Sequence, residues 1–275
     1  MYKIGFIGAG NMGGALITAA CKTIGANQVV ITDYDRNKAR ELAQQLGCST
    51  AESNGELVRQ AEYIVLAVKP NVVRPVATGI AEVLADCLKQ GQEKTIVTIA
   101  AGIAVSVIKE CIACDAPVIR IMPNTPAMVG QGMILLTCDG RYPDEISDEK
   151  FAEFQSLIAA AGDFERIPET AMDITTSVSS CAPAFVYMFI EALADGAVQV
   201  GVPRAQAQRL AAKTVLGSAA MVLETGQHPG ALKDAVCSPG GSTIVGVTTL
   251  EQYGFRNAVS QAVIRSTEKN LELGK

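Results

Sequence analysis

The sequence predicts an α/β protein in which a doubly wound parallel sheet precedes an all-helical domain. A glycine-rich turn follows a short apolar strand at the N-terminus, strand and helix patterns then alternate as far as residue 165, and helical spacing dominates afterwards. These three observations predict two domains, over residues 1–165 and 166–275.

Composition limits the range of functions. Of the 275 residues, 49% are hydrophobic and 19% are charged, which provides enough apolar material for two cores. The net charge is -5 and no Lys/Arg-rich stripe occurs, so we expect a small-molecule partner and no nucleic acid. The N-terminal apolar run is too short for a signal sequence, and no uninterrupted apolar stretch of about 18 residues occurs elsewhere. A cytoplasmic protein without a membrane segment is expected.

The cysteines and the single histidine do not predict a metal site. The eight cysteines lack the spacing of a disulfide framework, and only Cys111 and Cys114 form a C-x-x-C pair. His228 has no neighbours that could complete a zinc site. We therefore expect reduced thiols and no bound metal.

The first glycine motif lies where a strand passes into a helix. The run KIGFI is short and apolar, and the segment after GAGNMGG has helical spacing. In G-x-G-x-x-G the first glycine permits a tight turn, the second lets a pyrophosphate approach, and the third lets helix and strand pack closely. The motif predicts a Rossmann-type dinucleotide site formed by Gly8, Gly10, Asn11, Met12 and Gly13.

A second strand, QVVITD, ends at an acidic residue. Asp33 follows the glycines by about 20 residues, the distance expected for a carboxylate that binds the coenzyme ribose. A carboxylate there suits a ribose 2'-hydroxyl and repels a 2'-phosphate, whereas Arg36 and Lys38 could hold that phosphate. These cations could equally be a solvated helix start, so both alternatives stay open.

Strand and helix patterns continue to alternate after Asp33. The strand candidates are AEYIVLAVKP, KTIVTIAAGI and APVIRIMPNTP, and the helix candidates between them are NVVRPVATGIAEVLADCL and VSVIKECIAC. A surface turn over residues 138–150 and a helix over residues 151–161 complete the first domain.

Ligands of such sheets bind beyond the carboxyl ends of the strands. Here those ends carry AVKP, AAG and MPNTPA, whose prolines either stiffen the loops or line a nicotinamide pocket. We expect the coenzyme to contact the following loop residues: Ala67, Val68, Lys69, Pro70, Ala100, Gly102, Pro123 and Asn124.

The second domain contains one unusually apolar helix and one unusual helix start. AFVYMFIEALADGAVQVG is apolar on most faces, which predicts burial in a core or between subunits, with Pro183 as a kink or helix start. In CSPGGSTIVG we expect Ser238 as N-cap and Pro239 in the first turn, followed by two glycines and two hydroxyls. This pattern predicts a carboxylate-binding helix end, although a merely capped helix is the alternative.

The motifs GFIGAGNMGGAL, RIMPNTPAMVGQG and HPGALKDAVCSPGGSTIVGVTTLEQYGF resemble those of pyrroline-5-carboxylate reductases. The resemblance runs over essentially the whole chain. It implies a Rossmann domain and a helical substrate-binding and dimerisation domain that interlocks with a partner. It also implies reduction of L-1-pyrroline-5-carboxylate to L-proline, the last step of proline biosynthesis, with NADP(H) favoured and NAD(H) as the alternative.

Site roles follow from the resemblance by position. Thr243 resembles the family hydroxyl near the substrate ring nitrogen, the catalytic position. The substrate carboxylate would be held by Ser238, Gly240, Gly241, Ser242 and Thr243. Two segments depart from the family pattern: SSCAPAF replaces Ser-Gly-Ser-Gly-Pro-Ala-Tyr, and Asp33 replaces the endings that favour NADP.

Two rival functions share parts of this pattern. A β-hydroxyacid dehydrogenase-like enzyme has a similar opening but needs a catalytic lysine on a glycine-rich helix, and Lys213 lacks that setting. A non-catalytic dinucleotide-sensing protein would use the glycine motif and leave the second helix start without a role.

Overall fold

The computed structural model describes residues 1–138 and 146–273. The chain divides into two compact units, Met1–Ser180 with the segment from Thr267 onward, and Cys181–Ser266. The predicted surface turn after Cys138 lies largely outside the described residues.

An eight-stranded sheet forms the first unit. Its strands are β1 Tyr2–Ile7, β2 Val29–Thr32, β3 Ser49–Thr50, β4 Ala61–Leu66, β5 Thr95–Thr98, β6 Val118–Met122, β7 Gly132–Cys138 and β8 Gly162–Arg166. They lie in the order β3-β2-β1-β4-β5-β6-β7-β8, and all neighbouring pairs are parallel except β6 and β7. The predicted fold class is confirmed. The β6–β7 pair is antiparallel because a short 3-10 turn, Thr125–Val129, replaces a helical crossover.

Helices cover both faces of this sheet. They are α1 Asn11–Ile24, α2 Arg36–Leu46, α3 Asn54–Gln60, α4 Pro70–Lys89, α5 Val105–Ile112, α6 Asp148–Leu157 and α7 Glu169–Thr176. Leu16 and Phe154 belong to one apolar core, and Leu57 and Ile80 belong to the other. A parallel sheet buried on both faces explains why its strands are continuously apolar.

Several short elements differ from the sequence prediction. Strands β3, β7 and β8 and helix α3 were not predicted. Helix α6 begins before the expected Phe151, since Ser147 Oγ accepts a hydrogen bond from Lys150 N and caps the helix at an earlier residue. The first unit also extends past residue 165, because Met172 of α7 packs against Met122 and Leu135.

The second unit is helical. It contains α8 Ala182–Gln199, α9 Arg204–Thr225, α10 Pro229–Ala235, α11 Ser242–Gln252 and most of α12 Phe255–Leu273. Helices α8 and α9 pack through buried Ala194, Ala207 and Ala211, and an Arg204–Asp195 ion pair joins them. Small side chains at this contact allow close approach of the two helices.

Helix α8 is largely exposed in the single chain. Tyr187 and Met188 are 57% and 70% exposed, and only Ala194 of this helix is fully covered. The helical run Glu169–Gln199 is long and apolar enough to cross a membrane. Within its apolar stretch of 18 residues, 6% is buried. An apolar surface of this extent marks a site of association.

Charged groups surround the buried Tyr63 near the amino end of β4, whereas the glycine turn lies at the carboxyl ends of the strands. The Tyr63 hydroxyl donates to Glu153 Oε2 over 2.6 Å, and Lys3 Nζ lies 2.6 Å from Glu153 Oε1. Burial raises the pKa of Glu153, but hydrogen bonds from Lys3 and Tyr63 and the charge of Lys150 outweigh it and hold that pKa at about 2. Burial, reinforced by Glu153, raises the pKa of Tyr63.

We predict that Glu153→Gln removes an acid-sensitive part of the stability. Since the folded-state pKa is depressed, the Glu153 carboxylate stabilises the fold fully above its ordinary pKa of 4.5 and loses this effect as pH falls toward 2. The side chain is 35% exposed, so the pH-dependent difference should be at most about 1 kcal/mol. Urea unfolding of both proteins across this pH range measures it, and parallel stability curves would contradict the prediction.

Candidate functional site

The glycine turn between β1 and α1 is held by close backbone contacts. Gly8 has φ +112°, and a Cβ at this residue would lie 2.4 Å from the carbonyl oxygen of Ala67. A Cβ at Gly13 would lie 2.5 Å from the carbonyl oxygen of Gly8. Both positions therefore require glycine, and the predicted placement of the motif at a strand-to-helix turn is confirmed.

The N-terminus of α1 presents bare backbone. Gly10 is the N-cap and no side chain caps this end, while a Cβ at Gly10 would meet nothing within 4 Å. Asn11 and Met12 begin the helix, with Asn11 exposed. Uncapped N–H groups beside open space fit a pyrophosphate, because helix N-termini attract anions.

Asp33 connects the end of β2 to the glycine turn. Its Oδ2 accepts a hydrogen bond from Ala9 N over 2.6 Å, and its Oδ1 accepts one from Asp35 N over 2.9 Å. Asp35 in turn caps α2 by accepting from Asn37 N and Lys38 N. The carboxylate of Asp33 thus lies directly beside the turn, where the sequence placed it.

Arg36 and Arg40 share a carboxylate partner that the sequence did not reveal. Arg36 Nη1 lies 3.1 Å from Glu52 Oε2, and Arg40 Nη2 lies 3.6 Å from Glu52 Oε1. Arg36 Nη2 also donates to the backbone oxygen of Glu52 over 3.2 Å. The guanidinium of Arg36 is therefore already paired, whereas Lys38 lines a separate groove above the start of α1.

The loops after β4 and β5 lie at the same edge of the sheet. Ala67 N donates to Ile7 O over 2.8 Å, which brings the Ala67–Val68 backbone to the glycine turn. Lys69 is the N-cap of α4, Pro70 occupies its first turn, and both are exposed. After β5, Ala100 is buried, and Gly102 adopts φ +70° in the turn that leads to α5.

Asn124, predicted to contact the coenzyme, has both ends of its amide engaged within the protein. Its Nδ2 donates to Ser179 O over 2.8 Å, and its Oδ1 accepts from Met133 N over 3.1 Å. Pro123 is buried and its carbonyl accepts from Ser180 Oγ over 3.3 Å. In this loop the side chain of Asn124 and the carbonyl of Pro123 both form hydrogen bonds within the protein.

The Asn124 contact follows from a proline. A π-helical turn, Ser177–Cys181, precedes α8, and Pro183 stands in the first turn of that helix as predicted. Proline has no N–H, so the carbonyl of Ser179 lacks its helical donor four residues on. Asn124 supplies that donor instead.

A buried cation, missed by the sequence analysis, lies beneath these loops. Arg120 on β6 is 2% exposed, and its Nη2 and Nη1 lie 2.8 Å from Asp173 Oδ1 and 3.4 Å from Glu169 Oε1. Glu169 Oε1 also accepts from Val105 N over 2.7 Å, at the start of α5. The network ties α7 to the strand and to the helix that follows Gly102, and it was not predictable because its members are distant in sequence.

The predicted carboxylate-binding segment lies in the second unit, and two details of the prediction are wrong, since Pro239 precedes α11 and does not stand in its first turn. Ser238 is not the N-cap of α11, since Gly241 occupies that position. Ser238 to Gly241 instead form a turn in which Gly241 N donates to Ser238 O over 3.0 Å and Gly240 has φ +68°. Pro239 at the second place and a positive-φ glycine at the third are typical of a type II turn.

This turn leaves the start of α11 open. No side chain caps it, and Ser242 and Thr243 are exposed in its first turn. A Cβ at Gly241 would lie 2.4 Å from Ser238 Oγ, a contact that rotation of the serine side chain can relieve. The segment combines uncapped N–H groups with two hydroxyls, which suits a carboxylate.

Comparison with known proteins decides the family. A family model described as pyrroline-5-carboxylate reductase dimerisation matches residues 169–273, and one described as NADP oxidoreductase, coenzyme F420-dependent, matches residues 3–102. Pyrroline-5-carboxylate reductase of Escherichia coli (strain K12) is 42% identical over 275 residues, covering 99% of this chain and 98% of the relative. The chain belongs to the pyrroline-5-carboxylate reductase family.

Solved structures agree with this assignment. Plasmodium falciparum pyrroline carboxylate reductase, crystallised with NADP bound, has a TM-score of 0.83 and 29% identity and covers 100% of this chain and 98% of its own. The 1-pyrroline-5-carboxylate reductase of Streptococcus pyogenes has a TM-score of 0.83 and 32% identity, with coverage of 98% and 97%. The fold of this pyrroline-5-carboxylate reductase family member therefore matches relatives over its whole length.

The remaining candidates for metal or redox chemistry in this family member are the single histidine and the C-x-x-C pair. His228 caps α10, its Nδ1 accepting from Gly230 N over 3.0 Å. Cys111 lies on α5 and Cys114 lies beyond its end, where burial raises the thiol pKa of Cys114. A raised pKa disfavours the thiolate that redox or metal chemistry requires. Within residues 1–138 and 146–273, no cluster of three or more metal-ligating side chains occurs.

We predict that Gly13→Ala impairs dinucleotide binding at least tenfold, because its Cβ would collide with the carbonyl of Gly8. Gly14→Ala is the matched control, since its Cβ would have its nearest contact at 3.8 Å, with Leu42. Titration calorimetry with NADP+ measures both affinities. Equal affinities of the two variants would show that the close contact at Gly13 is not required.

Proposed function

We propose that the chain reduces L-1-pyrroline-5-carboxylate to L-proline with NADPH or NADH, the last step of proline biosynthesis. The observation that carries the proposal is the open helix start at Gly240–Thr243, in a chain 42% identical to an E. coli enzyme of that name. An anion-binding helix end with neutral hydroxyls suits a small cyclic acid better than a hydroxy acid, whose oxidation needs a stronger base.

The glycine turn and neighbouring strand ends would hold the coenzyme, with NADP(H) favoured by the family and NAD(H) as the alternative. Gly8, Gly10 and Gly13 fit its pyrophosphate, and Asp33 lies where the ribose would be recognised. The bound nicotinamide supplies the hydride. The proposed coenzyme contacts of the loops are the residues Ala67, Val68, Lys69, Pro70, Ala100, Gly102, Pro123 and Asn124.

The proposed role of the second unit is to orient the substrate and to hydrogen-bond the amine that forms from it. The Gly240–Gly241 turn, whose Gly241 N–H is bound to Ser238 O, presents the uncapped N–H groups of Ser242 and Thr243. These groups orient the substrate carboxylate together with the hydroxyls of Ser238 and Ser242. Thr243 Oγ1 hydrogen-bonds the developing amine or relays a proton to it from water. A protonated C=N is already electrophilic, so orientation contributes most to the rate.

The same proposal covers assembly and location. A second copy of the chain, rather than lipid, covers the exposed face of α8, because the dimerisation model matches residues 169–273 and includes this helix. The proposed boundary between the two functional domains, at residues 165 and 166, lies shortly before the dimerisation match begins at residue 169, although α7 packs with the first compact unit. The protein acts in the cytoplasm on a small molecule and has no nucleic-acid or membrane partner, in keeping with its net charge of -5.

The test is nicotinamide oxidation by the purified protein, followed by ultraviolet absorbance, with L-1-pyrroline-5-carboxylate and either NADPH or NADH. Substrate-dependent oxidation, with proline identified as the product, would support the proposal. A protein that binds the dinucleotide and oxidises neither coenzyme would be a sensor or act on a different substrate.

We predict that Thr243→Ala lowers kcat about a hundredfold, because the hydroxyl that hydrogen-bonds the developing amine or relays a proton to it from water is lost. Thr248→Ala is the control on the same helix, since Thr248 Oγ1 bonds backbone oxygens of α11. Steady-state kinetics with an unchanged thermal midpoint measures the effect. Equal kcat values for the two variants would remove Thr243 from the mechanism.

We predict that Asp33→Asn shifts coenzyme preference toward NADPH by about tenfold in kcat/KM, because a negative charge beside the ribose is removed. The amide oxygen of the introduced asparagine can still accept the bond from Ala9 N at the glycine turn, whereas the bond from Asp35 N to the second oxygen is lost. Steady-state kinetics with each coenzyme measures the shift. An unchanged ratio of the two kcat/KM values would show that Asp33 does not face the ribose.

A further inference from the structure

Glu52 lies next to Asp33 although nineteen positions separate them in the sequence. Strands β2 and β3 are parallel neighbours, with Ile31 paired with Thr50. The residues that follow the two strands therefore lie side by side at their carboxyl ends. Thr32, Asp33, Arg36, Arg40 and Glu52 line one small cavity there. The residues that follow the two strands therefore form a single charged surface.

Two arginines in this surface are paired with one carboxylate. Oε2 of Glu52 lies 3.1 Å from Arg36 Nη1, and Oε1 lies 3.6 Å from Arg40 Nη2. The position of Glu52 is fixed independently, because its N–H donates to Glu56 Oε2 over 2.7 Å. Glu52 therefore meets both guanidinium groups from a held backbone.

These arginines occupy the place where a coenzyme phosphate is recognised. In Rossmann domains an arginine shortly after the second strand accommodates the 2'-phosphate of NADP, while an acidic residue at the strand end binds the ribose of NAD. Here Arg36 follows Asp33 closely. A phosphate at this edge has to compete with Glu52 for its cations and also meets the charge of Glu52 itself.

We propose that Glu52 sets the balance between NADPH and NADH by pairing with the arginines that would otherwise bind the 2'-phosphate. The inference rests on the proposed coenzyme site. The side chains of Arg36 and Glu52 are 64% and 63% exposed, so their ion pair is weak and a phosphate can displace it. The chain thus accepts NADPH with reduced affinity and accepts NADH without hindrance from Glu52.

Glu52→Gln removes the negative charge while the backbone hydrogen bonds at residue 52 can remain. The backbone bond to Glu56 remains, and Arg36 Nη2 can still donate to the backbone oxygen of residue 52 over 3.2 Å. The variant removes the charge and leaves the orientation of Arg36. Glu82→Gln, at an exposed position on α4, changes the net charge equally and is the matched control.

Titration calorimetry with NADP+ and NAD+ tests the proposal. In Glu52→Gln the Kd for NADP+ should fall about tenfold while the Kd for NAD+ stays within about twofold, because only the phosphate meets the lost charge. Adding Arg36→Gln to this variant should abolish most of the gain. An unchanged Kd for NADP+, equal improvement for both dinucleotides, or the same gain in Glu82→Gln would overturn the proposal.

Binding and catalysis separate the two proposals. Calorimetry needs no pyrroline substrate, so selective tightening of NADP+ in a protein that fails to reduce L-1-pyrroline-5-carboxylate would support the role of Glu52 and refute the proposed reaction. A wild-type protein that binds neither dinucleotide would refute both. Reduction of the substrate with an unaltered coenzyme preference in Glu52→Gln would refute the role of Glu52 alone.

Discussion

Close backbone contact at the first strand-helix turn is the constraint on which the site depends. The contact leaves no room for a Cβ at Gly8 or Gly13, so α1 can begin directly against β1 and the Ala67 carbonyl. Strand β1 lies between β2 and β4, and each neighbour adds a group to the turn. Asp33 arrives from β2 and Ala67 from β4, so three strand ends meet one helix N-terminus.

The long periodic elements of the fold could be predicted because local patterns determine them. The glycine turn, α1, β2 and the position of Asp33 follow from spacing alone, and the structure places them as expected. Strands β3 and β8 could not be recognised, since two to five residues carry little periodicity. At Ser238 two local preferences compete, and the Pro-Gly turn prevails over side-chain capping.

The state of individual site residues depends on partners that are remote in sequence. Arg36 has the spacing of a phosphate-binding residue, but Glu52 from the adjacent strand end occupies its guanidinium group. Asn124 lies in a loop of the expected kind, yet its amide completes the backbone of Ser179. The buried ion pairs of Arg120 on β6 could not be predicted, because both of its carboxylate partners lie on α7, 49 and 53 positions later in the sequence. Such pairings depend on which elements the fold brings together, so a local sequence motif does not predict them.

The exposed face of α8 has a thermodynamic consequence. Side chains such as Tyr187 and Met188 remain in water in the single chain, so whatever covers them binds the folded state and not the unfolded state. By mass action, the apparent stability of the protein then rises with the concentration of that partner. A melting temperature for this chain is therefore meaningful only at a stated protein concentration.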